Sequence, residues 1–247
     1  LFVLYFAWRR QWRLVVGALL SSLAILLVSL LTVGWEGNLA YFRVVASELG
    51  GGGIPAFNNQ SISGFLLHIF TRGDVFAWLD AEVPLWLTGL RLSFILLLAG
   101  TVVWAMRRPP SAIGDAADAQ DLDLALVIFV MLLASPITWY HYYMWLLLPL
   151  AVLFDRLLLA RQLGVWQTAW LPVAYGLVVV EGIVVLRPLA AQSLQDVWFL
   201  RLLLSQGFFG AVLLLGLTLK WRWQAGERSQ GVDRGWNEVG YTADDGG

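Results

Sequence analysis

The 247 residues are 59% hydrophobic and 13% charged, with a mean hydropathy of +0.72 and a net charge of -1. Soluble domains carry about 25% charged residues, so the composition excludes a water-soluble fold, and without a basic arm or motif there is no case for a nucleic-acid partner. The chain has no cysteine, which excludes disulfides, thiolate metal sites and cysteine nucleophiles.

In chain order, residues 1–8 (LFVLYFAW) are apolar and run straight into Arg9 and Arg10. Eight helical residues rise only about 12 Å, and a signal peptide would carry its charges before the apolar run. The stretch therefore reads as the tail of a membrane helix whose start lies upstream, and the sequence as the C-terminal part of a longer one. Spans are predicted at 14–33 and 84–105, each near the ~20 residues that cross a ~30 Å hydrocarbon core. The apolar run 122–154 is too long for one span and is broken by Ser135-Pro136, so it reads as a hairpin of spans 122–138 and 140–154. Further spans are predicted at 165–186 and 199–219. From Gln224 the sequence turns polar and Gly-rich, and 223–247 is expected to be a disordered cytoplasmic tail. The fold class is all-α: one polytopic transmembrane helical bundle over 1–222, with interfacial helices on the extracytoplasmic side.

Orientation follows from the basic residues. The loops at 9–13, 107–108, 156–161 and 220–234 hold eleven of the 16 Arg and Lys, which makes that side cytoplasmic. The loop 34–82, the turn 135–143 and the loop 187–198 then meet on the opposite side. Within 34–82, Leu39, Phe42, Val45, Ala46 and Leu49 repeat at helical spacing and predict an interfacial helix near 38–49, stopped by Gly50–Gly53. Ile62, Phe65, Leu66, Ile69 and Phe70 predict a second helix near 61–70, opened by Asn58-Asn59-Gln60-Ser61 as capping residues.

Three groups of residues carry candidate chemistry. The first is SPITWYHYY, Ser135 to Tyr143. The helix before it covers about 20 Å of a ~30 Å core, so the turn is placed below the outer surface, where backbone released from a helix must line a cavity. Trp139, Tyr140, His141 and Tyr142 would be its polar lining; an aromatic belt at headgroup level is the equal alternative. The second is Asn59-Gln60-Ser61, whose amides and helix N-terminus suit phosphate oxygens, with plain capping as the stronger alternative. The third is a set of charges in the outer halves of the spans, Arg91, Glu181 and Arg201. Arg91 and Glu181 are expected to line a cavity and to pair, whereas Arg201 can snorkel. Two histidines and no carboxylate pair at ligand spacing give no metal constellation, and no Walker motif or nucleophile elbow is present.

Two of these stretches resemble a known family. Asn58-Asn59-Gln60-Ser61-Ile62-Ser63-Gly64-Phe65-Leu66 resembles the NNQS-x-x-G segment of polyprenol-phosphate-sugar-dependent glycosyltransferases related to phosphatidylinositol-mannoside mannosyltransferases, within the GT-C superfamily. Ser135 to Tyr143, followed by Leu146-Leu147-Leu148-Pro149, resembles the same family's SP-x-S/T-W-x-H-H/Y motif. The basic turn in YFAWRRQWR is similar too, and the order and spacing agree along most of residues 1 to 220. The resemblance implies a multi-pass enzyme of the bacterial plasma membrane that moves a hexose, often mannose, from a polyprenyl-phosphate carrier to an acceptor hydroxyl at the outer face, with inversion. It implies no cofactor, a lipid-linked sugar donor, a glycolipid or glycan acceptor, and contact with membrane lipid. His141 falls on the motif histidine and is expected to touch the donor phosphate. The family's acidic base, expected near the N-terminus of such enzymes, has no matching position in this sequence. Tyr140 and Tyr142 stand where some members have Asp and a second His, which leaves sugar and acceptor open. A transporter or flippase, or a non-catalytic membrane subunit, is the alternative reading; no inverted repeat supports the former.

Overall fold

The structure is a computed structural model that describes residues 1–46, 53–71, 75, 82–108, 115–158, 165–180 and 198–239. The elements are α1 (Phe2–Trp8), α2 (Trp12–Tyr41), α3 (Ile62–Phe70), α4 (Leu85–Met106), α5 (Asp115–Ala134), α6 (Leu147–Leu158), α7 (Val165–Val179), α8 (Trp198–Leu204) and α9 (Gln206–Val239). A π-helical turn at Phe42–Ala46 and a 3-10 helix at Tyr140–Leu146 complete them. Among the described residues the one extended pairing is a bridge between Asn59 and Trp139. The all-α class is as the sequence predicts.

Both α2 and α4 are long and apolar enough to cross a membrane. Their side chains point away from the protein: Ile25 and Leu31 of α2 are 71% and 86% exposed, and Leu96 and Leu97 of α4 are 70% and 68% exposed. Apolar surface on this scale requires lipid rather than water around it, and the protein is a membrane protein. By contrast the part of α5 from Leu124 to Ala134 is apolar on all sides and lies inside, with Leu126, Phe129 and Leu133 buried, as expected of a helical stretch without a polar face. Around it pack α4, α6 and α9. α7 lies along α9, where a Cβ at Gly210 would stand 2.8 Å from the Ala174 carbonyl oxygen and 2.8 Å from Val178. The glycine is what lets the two backbones approach, a device of membrane helix pairs.

Several boundaries differ from the sequence expectation for identifiable reasons. α2 does not end at the predicted 33 but kinks at Gly34, whose φ of 79° and ψ of 170° interrupt the helix. Asn38 locks the kink by donating from Nδ2 to the Gly34 carbonyl at 2.7 Å, while Ser29 donates to Asn38 Oδ1 at 2.7 Å. The predicted interfacial helix near 38–49 is this continuation, followed as far as Ala46; 47–49 lie outside the described residues. The helix near 61–70 is α3. In the hairpin, the second limb opens as a 3-10 helix and becomes α-helical only at Leu147, which places Pro149 in the first turn of α6, where its missing N–H is tolerated. The span predicted at 199–219 is divided by Ser205 into α8 and α9. α9 runs on to Val239, so the unstructured tail expected from Gln224 is helical to that point. Propagating an existing helix adds a hydrogen bond for each residue fixed, without a new nucleus, and Gln, Arg and Glu in this stretch are good helix formers.

Candidate active-site layer

The layer is built on one segment, Ile54 to Ser61, that fills the space between α3, the hairpin and the α8–α9 break. The side chains of Asn59, Gln60 and Ser61 each replace a backbone partner that irregular structure has lost. Asn59 Oδ1 accepts from the Thr138 amide at 3.0 Å and the Ser61 hydroxyl at 2.9 Å, and its Nδ2 donates to the Ile54 carbonyl at 3.1 Å. The Gln60 amide donates to the Thr138 carbonyl at 2.7 Å, and the Tyr143 hydroxyl donates to the Gln60 carbonyl at 2.9 Å. Ser61 is the N-cap of α3, accepting from the Gly64 amide at 3.1 Å, as capping serines do.

The Gln60 carboxamide spans the break in the last helix. Its Nε2 donates to the Leu204 carbonyl at 2.7 Å, at the end of α8, and its Oε1 accepts from the Phe208 amide at 3.0 Å, at the start of α9. A helix break exposes such orphan groups, and one side chain satisfies one from each half. Ser205, at the break, is held by His68 of α3. His68 Nε2 lies 3.0 Å from the Ala56 carbonyl and must donate to it, which leaves Nδ1 to accept from the Ser205 hydroxyl at 2.8 Å. The imidazole is neutral: burial pushes its pKa down to about 4, and the charge of Arg201 adds to the effect. Arg201 is itself buried and donates to the Thr71 carbonyl, so it does not snorkel as expected.

The structure thus brings the NNQS segment and the SPITW hairpin into one layer, but not in the arrangement predicted. Asn59, Gln60 and Ser61 are wholly buried and their polar atoms are engaged with protein partners. Their amides do not face a cavity shared with His141; the irregular backbone around them claims every donor. His141 is exposed on the 3-10 helix, its ring 4.5 Å from that of Tyr142 in an edge-on contact. Tyr142 is 41% exposed, while Trp139 and Tyr140 are half-buried. Arg91 is half-buried on α4, and Glu181, its expected partner, lies outside the described residues.

A second polar cluster escaped the sequence reading. Asp123 is fully buried in α5 and bonds both Arg9, from the α1–α2 turn, and Arg222 of α9, whose Nε is 2.8 Å from Oδ1. A lone aspartate within the apolar stretch 122–134 was the available signal. Among the described residues no group of His and carboxylates is placed to hold a metal.

The model of glycosyltransferase family 87 matches residues 1–136, more than half of the chain. The chain belongs to that family. It is 32% identical over 147 residues to a protein of Mycobacterium tuberculosis named polyprenol-phosphate-mannose-dependent alpha-(1-2)-phosphatidylinositol mannoside mannosyltransferase, a match covering 59% of this chain and 30% of that protein. A protein of the same name from Mycolicibacterium smegmatis is 27% identical over 238 residues, covering 92% of this chain and 49% of the relative. The chain therefore spans about half the length of these relatives or less. No solved structure matches it. In the structure the NNQS segment is the seat on which the histidine hairpin rests.

Proposed function

We propose that the enzyme bearing this chain transfers a hexose, mannose by preference, from a polyprenyl-phosphate carrier to a hydroxyl of a glycolipid or glycan, with inversion, at the extracytoplasmic face of a multi-pass bacterial plasma-membrane protein. One observation carries the reading: in a member of glycosyltransferase family 87, an exposed imidazole stands on a hairpin whose backbone is fixed from beneath by Asn59, Gln60 and Tyr143. The acceptor oxygen attacks the anomeric carbon, the bond to the phosphate oxygen breaks with its electrons, and the acceptor proton passes to an acidic base that has no counterpart at the positions of this chain. His141 donates an N–H to the departing phosphate as its charge grows, a contact that gains strength in the transition state. Tyr142, Trp139 and Tyr140 flank it, and Arg91 adds positive charge from α4. No cofactor is proposed.

The broken last helix also invites a transporter reading, since discontinuous helices form transport sites. Here Gln60 occupies both free ends of the break, which favours the enzyme. The test is to supply radiolabelled polyprenyl-phosphate hexoses to membranes carrying the full-length protein and to identify the labelled product. His141→Ala is expected to lower transfer by about 10²-fold or more with the protein still folded; near-normal turnover overturns the assignment.

A further inference from the structure

We infer that the end of the molecule remote from the hairpin holds a binding site for one anionic phospholipid, in the crevice between the last turns of α4 and the middle of α9. From Phe208 at the Gln60 clasp to Arg222 the chain climbs about 21 Å along α9, so this site and the candidate active site lie in different layers. The crevice has a volume of about 440 Å³ and is lined by Thr101, Trp104, Ala105, Leu219, Lys220 and Trp223. Its walls are mostly apolar, the described residues that line it include no carboxylate, and one wall is the lipid-facing helix α4.

The cationic rim is built rather than incidental. Arg222 is fully buried; its Nη2 donates to the Arg108 carbonyl at 2.7 Å and, more weakly, to that of Met106 at 3.4 Å. These bonds close the end of α4 and fix the turn from which Arg108 projects. The Arg108 guanidinium then lies 3.2 Å from the centre of the Trp223 ring and 4.7 Å from that of Trp104, whose rings are 4.5 Å apart. Among the described residues Asp123 is shared between Arg9 and Arg222, two cations on one carboxylate, and Nη1 of Arg222 has no hydrogen-bond partner among them despite its burial. Lys220, which is exposed, supplies a second cation to the rim beside the half-buried Arg108. Two cations and two interfacial tryptophans above an apolar slot between membrane helices match a phosphodiester above its acyl chains.

The test is native mass spectrometry of the chain released from mixed phosphatidylglycerol and phosphatidylcholine micelles. Wild type is expected to retain one phosphatidylglycerol in preference to phosphatidylcholine. Arg108→Gln/Lys220→Gln is expected to lower that preference about 10-fold or more, since each cation at an anionic lipid surface is worth roughly fivefold. Thr101→Trp, which fills the slot and leaves the cations in place, is expected to lose the lipid as well. Arg10→Asn/Arg13→Gln removes the same charge from the adjoining turn and is expected to change nothing. Equal retention of both lipids, an equal loss in the Arg10/Arg13 control, or full retention in either site variant overturns the proposal. So does displacement by millimolar inorganic phosphate, which would mean a free-anion site. None of these outcomes depends on sugar transfer.

Discussion

Gly64 shows how a single residue ties the sequence motif to the fold. A Cβ there would fall 2.0 Å from the Asn59 carbonyl oxygen, and because the obstacle is backbone rather than a side-chain tip, nothing can swing aside. The glycine of NNQS-x-x-G is required for space. Gly64→Ala is expected to cost about 3 kcal/mol or more through overpacking, measured as a loss of thermal stability in detergent, whereas Ala56, buried in the same layer, makes no comparable demand. His68 gives a pH signature. Its folded-state pKa of about 4 lies below the ordinary 6.5, so between those values the unfolded chain binds a proton that the folded chain refuses. Stability is then complete above pH 6.5 and falls as the pH drops toward 4, by roughly 3 kcal/mol over the window. His68→Gln, which cannot titrate, should flatten that part of the stability–pH curve; an unchanged curve would show that other groups dominate it.

At the scale of elements, the division of the last span could not be read from hydropathy. Residues 199–219 form an apolar stretch whose polar residues are Arg201, Ser205, Gln206 and Thr218, and nothing local requires a break at Ser205; what supports it is Gln60, far away in the sequence. The same distance effect hid the roles of Asn59 and Ser61. Their residue types announced capping, but only the folded chain reveals that the groups being capped belong to the hairpin and to α9 as well as to α3. By contrast, the span 84–105 and the helix near 61–70 were legible, because each depends on its own apolar length or period, whereas the helix of the span expected at 122–138 runs from Asp115 to Ala134. Gln60→Ala would leave the Leu204 carbonyl and the Phe208 amide buried without this partner, at about 1–3 kcal/mol for each group. The expected outcome is a lower melting temperature with loss of hydrogen-exchange protection concentrated at 204–209, and uniform loss along α9 would instead indicate general destabilisation.

For the whole molecule, the basic end and the hairpin end are expected on opposite sides of the membrane. With no native cysteine, Arg13→Cys and Pro136→Cys provide single labels at exposed positions, and the two should react with impermeant thiol reagents from opposite sides; reaction of both from one side would overturn the orientation. The Arg9–Asp123–Arg222 cluster and the Asn59–Thr138 clasp bound the apolar interior of the bundle. Along α5, Asp123 and Leu132, whose carbonyl accepts from the Thr138 hydroxyl, are separated by nine residues, about 14 Å of helix. On the lipid-facing side, α4 presents its apolar surface from Leu85 to Trp104, about 29 Å of helix. The two buried polar clusters therefore stand closer together than the ends of the apolar surface that α4 turns to lipid. The apolar layer that separates the two faces of the membrane is thus thinner along this buried helix than in the bilayer around the protein.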